Sequence, residues 1–308
     1  MAIVFLIIAV FTAMRIGAQS PRAPVVNVAY AASLVTLMER SVKPAFESTG
    51  HVFEGEAKGS VALANFIREG LRRPDVFISA DRAVLQSLEA NPQRPVRWDL
   101  SFASARLLVG YSMKSPFAGS LRRAAEHRRS LVSLLQQTGL RIGRTDPSTD
   151  PKGYRTLISL KLAERYYHEP NLTNKLIRNS VVLPEETLAV RLESGDLDAA
   201  FLYSTESASR QLPGIELPAA INLGSTALAH AYAKASVHVG NKTIRGAPIL
   251  YALTIPEAAT NKRGALAFIQ FLFSKRGRRL LERSGLQFVR VLPGGDRRAI
   301  PQILLQHL

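Results

Sequence analysis

Residues 143–157 read GRTDPSTDPKGYRTL, with two Asp-Pro pairs four positions apart. The stretch RIGRTD before and within it has the composition of a strand, and PKGYRTLISLKLAERYYHE, residues 151–169, has apolar residues at helical spacing. A strand running directly into a helix is the unit of an α/β fold. It also leaves free backbone N–H groups at the positive end of the helix, which suits an anion. Asp146-Pro147 is suited to shaping the turn that leaves the strand. Asp150-Pro151 is suited to starting the helix, since Pro at the first helical position loses no hydrogen bond. In a chain of net charge +16, a carboxylate at such a junction leaves three roles open for Asp150: helix cap, cation ligand, or partner of a bound ligand.

Working outward, the same alternation extends along the chain from Val25. PVVNVAYAAS reads as a strand ending in small residues, followed by a helix over LVTLMERSVKPAFESTG that stops at Gly50. VFEGEAKGS is strand and turn, VALANFIREG a helix, PDVFISAD a short buried strand, and RAVLQSLEAN a helix. RWDLSFASARLLVGYSMKS reads as one longer strand able to leave a first lobe, and APILYALTIP as the strand leading back. Between them lie the quoted junction, a helix over PEETLAVRLESG and a strand over DLDAAFLYS; KRGALAFIQFLFS and KRGRRLLERSG are C-terminal helices. The expected fold is therefore α/β with two lobes, each a mainly parallel sheet with flanking helices. Lobe I takes residues 24–110 plus 246–308, and lobe II residues 111–245.

At 308 residues, with 46% hydrophobic and 21% charged residues, the chain suits two lobes of ordinary size. It has no cysteine, which excludes a disulfide scaffold, a cysteine metal site and a cysteine nucleophile. Residues 2–13 form an apolar run of about a dozen, shorter than the roughly 20 needed to span a bilayer. Small and polar residues follow, so residues 1–23 are expected to be a signal peptide, with cleavage after Ala18 or Ala23. An uncleaved membrane anchor is the alternative, although the Lys or Arg usual before such a run is missing. Lys and Arg number 40 against 24 Asp and Glu, but they are spread out. The denser clusters, Arg122–Arg129 and Lys275–Arg283, fall on helical patterns as solvated faces. Nucleic acid is not the expected partner, whereas anions or an anionic membrane surface would be attracted.

Two further turns share the character of the opening stretch. In YAASL, residues 30–34, a strand ends and a helix begins about Ser33; in AKGSVAL, residues 57–63, Gly59 and Ser60 precede a helix. Ligands in open α/β sheets bind outside the carboxyl ends of strands. There a Ser hydroxyl and free N–H groups can surround an oxyanion. A single Ser before a helix more often caps it, but three such turns exceed what capping requires.

The order AAS, AKGSVA, DVFISAD, WDLSFASARLLVGY, GRTDPSTDPKGYRTL, LESGDLDAAFLYSTESA, LPAAINL and a late PGG resembles the periplasmic molybdate/tungstate-binding proteins of ABC transporters. The likeness covers roughly residues 25–295 and is greatest to the branch typified by archaeal tungstate binders. That resemblance implies a two-lobe type II periplasmic-binding-protein fold closing on a tetrahedral oxyanion. It implies ligand contacts from Ser33 and Ser60 in one lobe. From the other it implies Asp150, Glu185 at the helix start near Pro184–Glu186, and the hydroxyl of Tyr203. In the archaeal branch two carboxylates reach the metal itself. Asp150 matches one of them, and the other, expected just before the strand-end tyrosine, is Leu202 here. Leucine cannot ligate a metal, so a four-coordinate oxyanion held by hydrogen bonds is expected, with Asp150 a metal ligand only if the metal is directly coordinated.

The implied partners are the oxyanion and a membrane permease, with the protein a monomer exported to the periplasm or cell exterior, and with no cofactor. The six histidines lack metal-binding spacing, and no GxSxG elbow or GxxxxGK[ST] loop appears. Asp75 and Asp81, flanking VFIS, are read as bonding their local turns. No paired acid and base suggests an enzyme. Binding of sulfate or phosphate, and a membrane-tethered oxyanion sensor, are the competing readings.

Overall fold

The computed structural model describes residues 24–127, 132 and 137–308. The expected signal segment, residues 1–23, and the last residues of the Arg122–Arg129 cluster lie outside the described residues. Two sheets dominate. The first contains β1 (Val25–Ala31), β2 (Val52–Lys58), β3 (Val76–Ser79), β4 (Trp98–Ser104), β12 (Leu250–Thr254) and β13 (Gln287–Gly295), in the order β13-β4-β12-β3-β1-β2. The second contains β5 (Leu107–Tyr111), β6 (Ile142–Arg144), β7 (Ser180–Val182), β8 (Ala199–Tyr203) and β9 (Gly214–Glu216), in the order β7-β6-β8-β5-β9. A hairpin of β10 (Ser236–Val239) and β11 (Lys242–Arg245) stands apart.

Each sheet has a parallel half that follows the βα alternation: β2-β1-β3 in one, β7-β6-β8 in the other. Contrary to the mainly parallel expectation, both sheets are mixed. β12 runs antiparallel to β3 and β4, β13 to β4, and β5 to β8 and β9. The reason is the traffic between lobes, because a strand that re-enters a sheet from the far lobe arrives from the opposite end.

WDLSFASARLLVGY also differs from expectation. It forms two strands in different sheets, with Ser104 ending β4 and Leu107 opening β5. The chain thus crosses to the second sheet between Ser104 and Leu107, ahead of the Gly110 boundary read from the sequence. It rejoins the first sheet between Arg245 and Leu250. The crossovers run side by side, since the Ala105 N–H donates to Ile249 O at 3.3 Å. Polar Ser104 and Arg106 interrupt an otherwise apolar run there, and both sheets bury the apolar faces on either side. Trp98, Leu100 and Phe102 of β4 and Leu107 and Val109 of β5 all belong to one large apolar cluster.

Candidate functional site

Strand ends and helix starts from both lobes meet at one place. From the first lobe come the tight helical turn Ala32–Leu34 after β1 and the helix Ser60–Arg68 after β2. From the second come the helices Pro151–Tyr166, Glu185–Ser194 and Ser204–Arg210. The lobes touch: the Ala62 N–H donates to Thr149 O at 3.2 Å, and Lys58 Nζ lies 3.9 Å from Glu186. Gly59 is necessary here, because a Cβ on it would come within 2.5 Å of Thr149 O and 3.3 Å of the Asp150 Cβ. Gly153 is equally constrained, since its Cβ would lie 2.5 Å from the Asp146 carbonyl carbon.

The turn chemistry of the opening stretch is as its residues suggest. Asp146 accepts the Ser148 N–H and hydroxyl at 2.8 and 2.6 Å, shaping the exit from β6. Asp150 Oδ1 accepts the Lys152 N–H at 3.0 Å, so Asp150 caps the helix with Pro151 in its first turn. Its second oxygen, Oδ2, is buried with the Thr145 hydroxyl beside it.

All five residues singled out by sequence converge on this interface and are buried. Ser33 Oγ shares a hydrogen bond with Tyr251 Oη at 2.8 Å, and the Tyr251 ring stands edge-on to Tyr203, with centroids 6.3 Å apart. Ser60 Oγ accepts the Ala80 N–H at 3.1 Å and retains its own proton to donate. Glu185 meets only the Lys152 ammonium, at 3.2 Å from Oε1, while the hydroxyls of Tyr203 and Thr205 have no hydrogen-bond partner. Leaving a buried polar group unsatisfied costs about 1–3 kcal/mol. Two such hydroxyls in one place are the mark of a polar ligand site, because packing alone would have selected against them.

Sequence reading missed the basic side of this site. Lys152 is fully buried; its ammonium donates to both Glu206 oxygens at 2.7 and 2.9 Å and lies 3.2 Å from Glu185 Oε1. It also sits 5.6 Å from the Tyr203 ring centroid. Three carboxyls, Asp150, Glu185 and Glu206, thus face one ammonium. Burial, reinforced by Asp150, pushes the Glu185 carboxyl well above the usual range. Burial also raises Asp150, with Lys152 opposing it. Burial on its own would lower the Lys152 ammonium, but Glu206, Glu185 and Asp150 together raise it. The signal in sequence was the lysine two positions after the capping aspartate, an unlikely residue to bury without acidic neighbours.

Leu202 faces away, into a dry layer with Leu108, Leu188, Leu192 and Leu197. Successive residues of a strand point to opposite faces, so the strand that presents Tyr203 to the interface keeps Leu202 out of it. Asp75 and Asp81 do more than bond local turns. Asp75 accepts the backbone N–H groups of Asn27 and Asn261, joining β1 to a distant helix start. Asp81 caps its helix through the Ala83 N–H and is also reached from the second lobe by Tyr154 and Arg155. Among the described residues, no group of three or more His, Cys, Asp or Glu side chains is arranged to hold a metal ion.

Comparison with known proteins gives a consistent answer. The family model described as bacterial extracellular solute-binding protein matches residues 26–287. A putative ABC transporter molybdenum-binding protein of Haloferax volcanii is 36% identical over 234 residues, 75% of this chain and 72% of that protein. A molybdate/tungstate-binding protein of Pyrococcus abyssi is 28% identical over 262 residues, 77% of this chain and 75% of the relative. Among solved structures, the periplasmic molybdate-binding protein of Azotobacter vinelandii superposes with a TM-score of 0.61 at 17% identity, covering 86% of this chain and 98% of that one. At that identity the superposition speaks for the fold, a two-lobe periplasmic binding protein.

Proposed function

The chain belongs to the bacterial extracellular solute-binding proteins, and from that premise we propose that it captures molybdate or tungstate between its lobes and delivers it to an ABC-transporter permease in the membrane. The observation that carries the reading is the buried polar cluster of Asp150, Glu185, Tyr203 and Thr205, with the Tyr203 and Thr205 hydroxyls unpartnered, together with the Ser33 and Ser60 hydroxyls across the lobe boundary. Hydroxyls and helix N-termini surround an oxyanion with donors and need no free cation. The names of the Haloferax and Pyrococcus relatives support the same ligand class.

In this reading the work is binding and closure rather than chemistry, and no cofactor is required. Ligand bridging the lobes favours the closed state by its differential affinity for it. Residues 1–23 serve as the export signal, placing the protein in the periplasm or outside the cell as a monomer. The site holds the oxyanion by hydrogen bonds, and Asp150 ligates the metal only if coordination expands beyond four. Size and donor number select among oxyanions: the smaller sulfate and hydrogen phosphate leave some donors too far away. Calorimetric titration with molybdate, tungstate, sulfate and phosphate tests this. Binding of molybdate or tungstate at least tenfold tighter than sulfate and phosphate is expected, and absence of heat with all four would sink the reading.

A further inference from the structure

The carboxylate of Asp81 joins the two lobes. Its Oδ1 accepts the Ala83 N–H at 2.9 Å and caps the helix Arg82–Glu89 of the first lobe. Its Oδ2 accepts the Tyr154 hydroxyl at 2.7 Å and lies 2.8 Å from Arg155 Nη2. Both partners stand on the second-lobe helix that Asp150 caps. Arg155 also donates through Nη1 to Ala247 O at 2.9 Å, in the segment by which the chain returns to the first lobe. A single guanidinium therefore connects its own helix, the facing lobe and the hinge. The pair is almost dry, with side chains 3% and 11% exposed for Arg155 and Asp81.

A helix cap uses one carboxylate oxygen, so a tyrosine and an arginine on the other are not explained by capping. Nor do the Asp81–Tyr154 and Asp81–Arg155 contacts need a ligand to complete them, in contrast to Tyr203, whose hydroxyl is unpartnered. These contacts span the boundary between the two lobes.

We propose that Asp81, Tyr154 and Arg155 form a latch that favours the closed form independently of ligand, acting as positioning residues that set how long a captured oxyanion stays. Its ligand half rests on the proposed function, whereas its effect on closure does not. A contact made only in the closed state raises the population of that state and slows release, leaving the encounter with the open form unchanged.

Two variants test it. Tyr154→Phe keeps the ring and removes one hydroxyl; Asp81→Asn keeps the cap and removes the ion pair. Small-angle scattering of ligand-free protein should give both variants a larger radius of gyration than the native chain, returning to the native value in saturating molybdate. The dissociation rate of radiolabelled molybdate, chased with unlabelled molybdate, should rise about tenfold, the value of one hydrogen bond to a charged group. The association rate should stay within about twofold of native, the pattern usual when affinity changes through release. A Tyr154→Phe protein with native radius and native dissociation rate overturns the latch. So does a slowed association with unchanged release, which would place the hydroxyl in ligand capture. If no oxyanion binds, the proposed function fails and the scattering of the free protein still decides the latch. If Asp81→Asn does not fold, Tyr154→Phe decides alone.

Discussion

Gly59 and Glu185 show how single residues shape the cleft. Gly59 lets the first-lobe turn press against Thr149 O, and an added methyl would meet that backbone oxygen at 2.5 Å. Gly59→Ala should hold the lobes slightly apart, at an overpacking cost of about 1–3 kcal/mol borne by closure. The expected result is oxyanion affinity at least tenfold weaker with a nearly native melting temperature of the free protein, measured by titration and calorimetry. Equal affinity would show that the turns do not need to touch. Asp150→Asn separates two roles. If the carboxyl acts as a cap, the amide substitutes with less than about 1 kcal/mol of change, since Asn caps as well as Asp. Complete loss of tungstate binding would instead mean that Asp150 ligates the metal. The cap at Asp150 was legible from Asp-Pro alone, because both residues have local preferences. The burial of Lys152 was not, since it depends on Glu185 and Glu206 arriving from other helices.

At the scale of elements, β4 carries a second buried carboxyl pair, remote from the cleft. Asp99, fully buried, lies 2.8 Å from Arg82 Nε, and Gly294 of β13 leaves room for that contact. Burial, with Asp99 adding to it, raises the Glu89 carboxyl from 4.5 to about 7. A carboxyl raised in the folded state contributes stability fully below its unfolded value. That contribution is lost as pH climbs through the folded value, so this part should decline between pH 4.5 and 7. Glu89 is only partly buried, so the discounted size is about 1–2 kcal/mol. Denaturant melts from pH 4.5 to 7.5 should therefore show a loss that Glu89→Gln flattens, and an unchanged slope would refute the pairing. β4 also shows where sequence reading stopped short. Every residue of β4 and β5 is buried, polar Asp99, Ser101 and Ser104 included, so burial gives no mark of the change of sheet between Ser104 and Leu107. Of the parallel strands, β1, β2, β3 and β6 were legible because each is followed by its own amphipathic helix, whereas the three-residue β7 was not read. β9, the β10–β11 hairpin and β13 lack such partners, and their pairing is decided by tertiary contacts.

The whole molecule is two sheets joined by two adjacent crossovers, with the candidate site at their meeting face. Much of that face is made of groups unfavourable to bury: three carboxyls, a lysine, and the Arg155–Asp81 ion pair. Buried ion pairs give little net stability in themselves, so a ligand that satisfies the remaining donors should stabilise both lobes together. For one site at a molybdate concentration 100 times Kd, the gain is about 2.7 kcal/mol. At roughly 2–4 °C per kcal/mol for units of this size, that corresponds to roughly 5–11 °C in melting temperature. Scanning calorimetry should show the rise across the entire unfolding transition, because the donors come from both sides of the boundary. A ligand held by one lobe alone would split the transition and move only that lobe's part. In Gly59→Ala, where the turns cannot meet, the same molybdate concentration should give a smaller shift; a full native shift there would mean that the oxyanion is held without closure.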